Sequence, residues 1–310
     1  MTATQTTTKF HKFAQLCTVL GVVIFQAGCA TVGVPLSTGN GFALQTVAND
    51  VDIKLASTAA YRQAEADIEM DPADNGRCLK LWKDSNEAGF LAWCESYVLS
   101  DLLDRIEFAD DIPAVPVFLD HANKIIAGYD SKSRDVQRGA RHTAGWVSKK
   151  YSKGKPAYWL VHTGQIIRNF ARFAVIVREK RMKRYSADGE RLAKIAAKFF
   201  KSYETDWDGI RYHLPGTRDA RFPSKSALAL NMQATFGITA IYLYKYTGDA
   251  WYEKRARAIA KYSLHFFTIV VDFRGVGVLW PYSESAKTED TSHALLTLSF
   301  LHLAMAENIF

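Results

Sequence analysis

The chain has 310 residues, a formal net charge of +7, and 48% hydrophobic and 23% charged residues. That balance is ordinary for a globular protein of one large or two small domains and excludes an intrinsically disordered chain. With 19 glycines and 8 prolines, it falls below the ~12% these residues usually contribute. Turns are therefore scarce and long helices favoured, and no apolar run reaches the roughly 18–20 residues of a membrane span.

In chain order, the first signal is an export leader. Lys9 and Lys12 form a positive start, residues 13–25 are mostly apolar, and Ala27, Gly28, Cys29 and Ala30 follow. This predicts a signal peptide over 1–28. Ala27-Gly28-Cys29 resembles a bacterial lipobox, in which Cys29 becomes the lipidated first residue, although Gln26 stands where that motif usually has leucine. Ordinary cleavage after Ala30 fits the same residues. The expected compartment is the periplasm or the outer membrane, with the membrane reached through an N-terminal lipid. Residues 29–75 read as a tether and N-terminal extension. Of the 4 cysteines, Cys17 leaves with the signal and Cys29 takes the lipid. Cys78 and Cys94 remain as a candidate disulfide in an oxidising compartment, with two buried free thiols as the alternative.

Charge is unevenly spread. Residues 50–120 hold 16 acids and 6 bases, a net of −10, whereas residues 132–184 hold 15 bases and 2 acids, a net of +13. Such a basic block calls for an anionic partner, and export sets nucleic acid aside in favour of an acidic polysaccharide or oligosaccharide. Arg168 and Arg172 share one helix face and are placed to pair with acids of the negative half. The basic run Lys180 to Arg184 also suits a solvated helix end, where cations complement the dipole.

From residue 76 to 310 the chain reads as an all-α domain. Apolar helices are predicted over 86–106, 162–178, 231–246 and 291–306. Between them lie helices with charged stripes over 189–203 and 250–266, and a shorter one over 117–127. Buried and exposed helices alternate with a period of about 60–75 residues, the signature of stacked helical hairpins. The expected architecture is an incomplete (α/α) toroid of about four hairpins, with short irregular or β segments in the loops. An open solenoid or irregular bundle is the alternative. In a toroid the starts of the inner helices would gather Asn86, His162, Asn231 and His293 around one mouth, where helix amino termini attract anions.

The densest chemistry precedes the last helix: Trp280, Pro281, Tyr282, Ser283 and Glu284, then Glu289, Asp290, Thr291, Ser292 and His293. A Trp-x-Tyr-Ser segment followed by Glu-Asp-Thr-Ser-His-Ala at a helix start resembles (α/α)-toroid carbohydrate-active proteins, uronate polysaccharide lyases and the helical domain of glucuronyl C5-epimerases among them. Asn231-Met232-Gln233-Ala234 and Tyr246-Thr247-Gly248-Asp249 are similar to the inner-helix and turn unit of that group, and the resemblance spans about residues 155–306. It implies an enzyme that takes the C5 proton of a uronic acid after its carboxylate has been neutralised. Tyr282 is then the candidate acid/base, His293 a base or carboxylate partner, and His162 a helper. Asn231 with Arg218 or Arg221 would clamp the carboxylate, and Trp280 and Glu284 would contact the sugar.

Each residue also has a structural role open to it. Asp290 or Thr291 suits an N-cap, and Asn231 and His162 suit free backbone groups at helix ends. His293 and Tyr282 suit core packing, and Arg218 and Arg221 suit a solvated loop. The leading expectation is a polysaccharide lyase. A C5-epimerase, a glycoside hydrolase drawing on Glu284, Glu289 and Asp290, and a non-catalytic glycan-binding envelope lipoprotein are the alternatives. The histidines and cysteines lack metal-ligand spacing, so no metal and no cofactor are expected.

Overall fold

Seven helices run in the order the hydrophobic pattern predicts, and helix accounts for 74% of the described residues, an all-α chain with few short strands. The computed structural model describes residues 86, 89–132, 145–149, 157–213, 228–272, 275–283 and 291–310. All of them lie within one unit, Asp50–Phe310. The proposed leader, Cys29, the tether, Cys78, Arg218, Arg221 and Glu284 lie outside the described residues.

The helices are α1 (Ser96–Phe108), α2 (Ala114–Lys132), α3 (Leu160–Glu179), α4 (Ser186–Lys201), α5 (Leu230–Thr247), α6 (Ala250–His265) and α7 (Thr291–Ala306). A single π-turn, Leu91–Glu95, leads into α1. The first helix was expected from residue 86, but Gly89 sits at φ +80, outside the helical region, so the helical path starts after it. The turn from α5 to α6 follows capping rules. The Gly248 amide donates to the Tyr244 carbonyl at 2.8 Å, and the Asp249 side chain accepts from the Trp251 amide at 2.9 Å.

Four helices, α1, α3, α5 and α7, form a parallel row. Near their starts, a Cβ on Gly164 of α3 would lie 2.1 Å from Thr235 Oγ1 of α5, so glycine permits the close approach there. Near their ends, the Arg178 guanidinium donates to the Tyr246 carbonyl at 2.8 Å. Contacts at both ends fix α3 and α5 as parallel. The same logic joins α5 to α7, through Gly237 against Phe300 and Lys245 with Glu307 at 2.7 Å. It also joins α1 to α3, through Asn169 donating to the Ser96 carbonyl at 2.8 Å and Arg172 bridging to Asp104 and Glu107.

The helices α2, α4 and α6 pack behind this row. Phe118 of α2 stacks on Phe173 of α3 with ring centroids 4.6 Å apart, and Phe200 of α4 stacks on Phe236 of α5 at 4.9 Å. Helix α4 runs against α3: Gly189, near its start, faces Val177, and Tyr203, just past its end, meets Thr163 at 2.8 Å. The core is therefore the sheet of aromatic and aliphatic side chains between the two layers, with Phe170, Phe173, Phe200, Phe236 and Phe300 all fully buried. Large apolar residues in such a layer each contribute about 1.5–3 kcal/mol.

Two antiparallel hairpins occupy the connections that lead into the front helices. One pairs β1 (Val147–Ser148) with β2 (Ala157–Tyr158) ahead of α3. The other pairs β3 (Thr268–Asp272) with β4 (Gly275–Leu279) ahead of α7. No helix among the described residues is long and apolar enough to cross a membrane. Part of the opposite charge of the two halves is neutralised internally: Arg172 binds Asp104 at 2.5 Å and Glu107 at 2.6 Å, and Lys180 pairs with Asp110. Cys94 is disulfide-bonded, and its partner lies outside the described residues.

Candidate active site at the starts of the front helices

Parallel packing brings the amino-terminal ends of α1, α3, α5 and α7 to one side. Tyr282 lies in the segment between β4 and α7. Its carbonyl accepts a 3.0 Å hydrogen bond from the Leu230 amide, the first residue of α5. Its ring meets the His293 ring edge-on, with centroids 5.0 Å apart and planes at 68°. His293 stands in the first turn of α7, so one backbone bond and one ring contact tie the ends of α5 and α7 around this pair. Asn231, the second residue of α5, is 1% exposed, and its Oδ1 has no hydrogen-bond partner among the described residues. A buried, unsatisfied amide oxygen costs about 1–3 kcal/mol, so Asn231 is not accounted for by its own helix end.

His162 occupies a different setting. It is 1% exposed, and its Nδ1 lies 3.1 Å from Asn86 Nδ2. The amide nitrogen can only donate, so Nδ1 is the acceptor and the neutral ring carries its proton on Nε2. Asn86 also donates to the Trp146 carbonyl at 3.1 Å and accepts from the Ala92 amide at 3.3 Å. The Trp93 ring closes over His162 edge-on at 5.6 Å. Asn86 thus locks the approach to α1 onto the start of α3, and His162 sits inside that lock. Trp280 stacks flat on Phe267, with centroids 4.7 Å apart and planes at 4°. One indole face therefore closes the base of the β3–β4 hairpin.

A second group was passed over in the sequence. After α4 a tight turn, Glu204–Asp206, leads to a bridge between Trp207 and Tyr212. Arg255 of α6, 6% exposed, holds this loop: it binds both carboxylate oxygens of Glu204 at 2.7 and 2.8 Å and the Tyr212 hydroxyl at 2.6 Å, and lies 4.0 Å from the Trp207 ring centroid. Gln233 of α5 accepts from the Tyr212 amide at 2.9 Å and donates to the Leu228 carbonyl at 3.2 Å. The lead-in to α5 then bonds Tyr212 through Leu228 and Tyr282 through Leu230, so it is a wall shared by the loop and the Tyr282 segment.

Two carboxyls on this loop are driven apart. Burial raises Asp206 to about 6, with His213 opposing, and its Oδ2 is buried without a partner among the described residues. Burial also acts to raise Asp208, but hydrogen bonds from His213 and from the Arg211 and Ile210 amides outweigh it and bring the carboxyl down to about 2. His213 Nε2 stands 2.5 Å from Asp208 Oδ2. Near neutral pH Asp208 is ionised while Asp206 keeps a share of its proton, the condition under which neighbouring carboxyls take different roles. The Asp-Trp-Asp sequence with a histidine five residues on was the available signal. Among the described residues no group of three or more histidine, cysteine or acidic side chains is placed to hold a metal ion. No protein-family model, curated protein or solved structure matches the chain.

Proposed function

We propose that the chain is an exported enzyme that acts on a uronic-acid-containing polysaccharide by removing the C5 proton, and that it is a polysaccharide lyase. The observation that carries this reading is the Tyr282–His293 pair at 5.0 Å, set against the start of α5, where Asn231 Oδ1 has no partner among the described residues. Abstraction of a proton next to a carboxylate builds up a second negative charge on that group. The positive ends of α5 and α7 suit such charge, and the orphan Asn231 Oδ1, an acceptor, suits a substrate hydroxyl. His293 or Tyr282 takes the C5 proton, the electron pair forms the C4–C5 double bond, the C4–O bond breaks, and the leaving oxygen is protonated by the other member of the pair. Positioned proton transfer of this kind contributes about 10²–10⁴-fold.

The parallel front row backed by α2, α4 and α6 supports reading the architecture as an incomplete (α/α) toroid with its cleft at the helix starts. The leader over 1–28 and the cysteine at 29 support placing the enzyme in the periplasm or, by a lipid, at the outer membrane. A glycoside hydrolase is the second reading. It is favoured by one observation, the contrast between Asp206 and Asp208, which provides an acid and a carboxylate on one anchored loop. Incubation with a panel of polyuronates separates the two. A lyase generates a conjugated, near-ultraviolet-absorbing uronate at each break, while new reducing ends without absorbance would replace the lyase by the hydrolase.

A further inference from the structure

Helix α3 has a front face as well as a back. Phe173 and Val177 face α2 and α4, so the stripe of Gln165, Arg168 and Arg172 lies on the opposite side. Arg172 is satisfied there by Asp104 and Glu107 of α1. Arg168, one turn nearer the helix start, makes no such ion pair among the described residues, and Asp104 acts on it only from beyond hydrogen-bond distance. Its Nε is buried and makes no hydrogen bond among the described residues, although the residue keeps part of its surface open to solvent. Burial lowers its pKa from the ordinary arginine value. Tyr97 of α1 and Tyr242 of α5 act to raise it again, Arg172 lowers it further and Asp104 raises it slightly, so groups of both flanking front helices act on Arg168. Gln165 Oε1 is likewise buried without a partner among the described residues, and Gln165 Nε2 faces the Tyr97 hydroxyl at 3.4 Å. Tyr97 is 39% exposed whereas Gln165 is fully buried, so solvent reaches this face from the Tyr97 side.

A guanidinium stays charged in a protein, and a buried charge is retained only when something compensates it. Asp104 and Glu107, the α1 acids that bridge to α3, both bind Arg172 and leave Arg168 with only the distant pull of Asp104. The register of Gly164 on Thr235 sets Asn231 level with the start of α3, so Arg168 lies about 12 Å further along the row at 1.5 Å per residue. An oligosaccharide entering at the helix starts would reach this face with a unit beyond its nearest neighbour.

We propose that Arg168, flanked by Tyr97, Tyr242 and Gln165, is a binding site for a carboxylate of an acidic sugar on the front face of the row. The guanidinium fork suits a planar carboxylate, and the Tyr97 hydroxyl, backed by the buried Gln165, suits a sugar hydroxyl. The choice of an acidic sugar rests on the functional reading above, whereas the anion site rests on Arg168 itself.

The test uses the full chain with sodium glucuronate as probe and glucose as the neutral control, read by calorimetric titration and by the shift in Tm. Glucuronate is expected to bind and raise Tm while glucose does neither. Arg168→Met should weaken glucuronate binding by about 10–100-fold, and Arg168→Lys should retain part of it. Without ligand, Arg168→Met should melt no lower than wild type, because an uncompensated buried charge has been removed. Equal binding of glucose, no binding of glucuronate, or unchanged affinity in Arg168→Met overturns the proposal. Should the methionine variant fail to fold, Arg168→Lys decides: affinity lost without loss of fold supports the site, and full affinity overturns it. Glucuronate binding that depends on Arg168 in a protein with no eliminase activity would retain the site and refute only the reaction.

Discussion

Replacing Arg255 with methionine tests whether one side chain anchors the loop of Asp206, Asp208 and His213. The guanidinium makes three hydrogen bonds of 2.6–2.8 Å, to both oxygens of Glu204 and to the Tyr212 hydroxyl. It also lies 4.0 Å from the Trp207 centroid and 4.7 Å from that of Trp251. Glu204 is 39% exposed, so the ion pair itself contributes only about 0.5–1 kcal/mol. Stranding the buried Tyr212 hydroxyl costs about 1–2 kcal/mol, and losing the two ring contacts about 1 kcal/mol. The expected loss is about 3 kcal/mol, a fall in Tm of about 6–12 °C at this size. Urea unfolding of Arg255→Met, Tyr212→Phe and the double variant measures it. The double variant should lose less than the sum of the singles, since no hydroxyl is then left stranded. A loss below about 1 kcal/mol, or strict additivity, would refute the anchoring role.

Gly164→Ala would set a Cβ 2.1 Å from Thr235 Oγ1. It should cost about 1–3 kcal/mol in urea unfolding, and a neutral result contradicts the close approach of α3 to α5. Asp206 is raised to about 6 in the folded chain from 3.8. The native state therefore binds that proton more tightly than the unfolded chain, and stability falls as pH rises from about 4 to 6. Asp206→Asn should remove that slope, matching wild type at pH 3 and exceeding it by about 1 kcal/mol at pH 7 once partial solvent screening is discounted. An unchanged slope refutes it. Cys94 is disulfide-bonded, and peptide mapping without reduction should recover it linked to Cys78. A bridge to Cys29 or Cys17 contradicts the pairing.

The helices were legible because their signal is local. α3, α5 and α7 are apolar on most faces, and their observed starts, Leu160, Leu230 and Thr291, fall within two residues of the expected ones. α6 begins where expected, at Ala250, since Gly248 and Asp249 cap it. The β3–β4 hairpin was less legible. Thr268 to Val271 is β-branched, but the pairing of this strand with the glycine-rich partner strand is a matter of register. Tyr282 and His293 were singled out from a dense polar segment, and the structure brings them together. His162, in the first turn of α3, is held by Asn86 and Trp93 in a lock that no local pattern encodes. Asp206, Asp208 and His213 were missed because their protonation depends on burial and on Arg255, more than 40 residues away in sequence. The isolation of Arg168 was hidden for a similar reason: the same pattern that marks it as a partner for acids marks Arg172, and only packing shows which one they bind.

The most direct test of the central claim is the near-ultraviolet absorbance of a polyuronate digest with wild-type protein and with Tyr282→Phe, which keeps the ring contact to His293 and removes only the hydroxyl. Wild type should generate absorbance steadily, and the variant should lose about 10²–10⁴ in rate while unfolding at nearly the same urea concentration. An absorbance increase that survives intact in Tyr282→Phe, or its absence from wild type on every polyuronate, would contradict a Tyr282-dependent elimination.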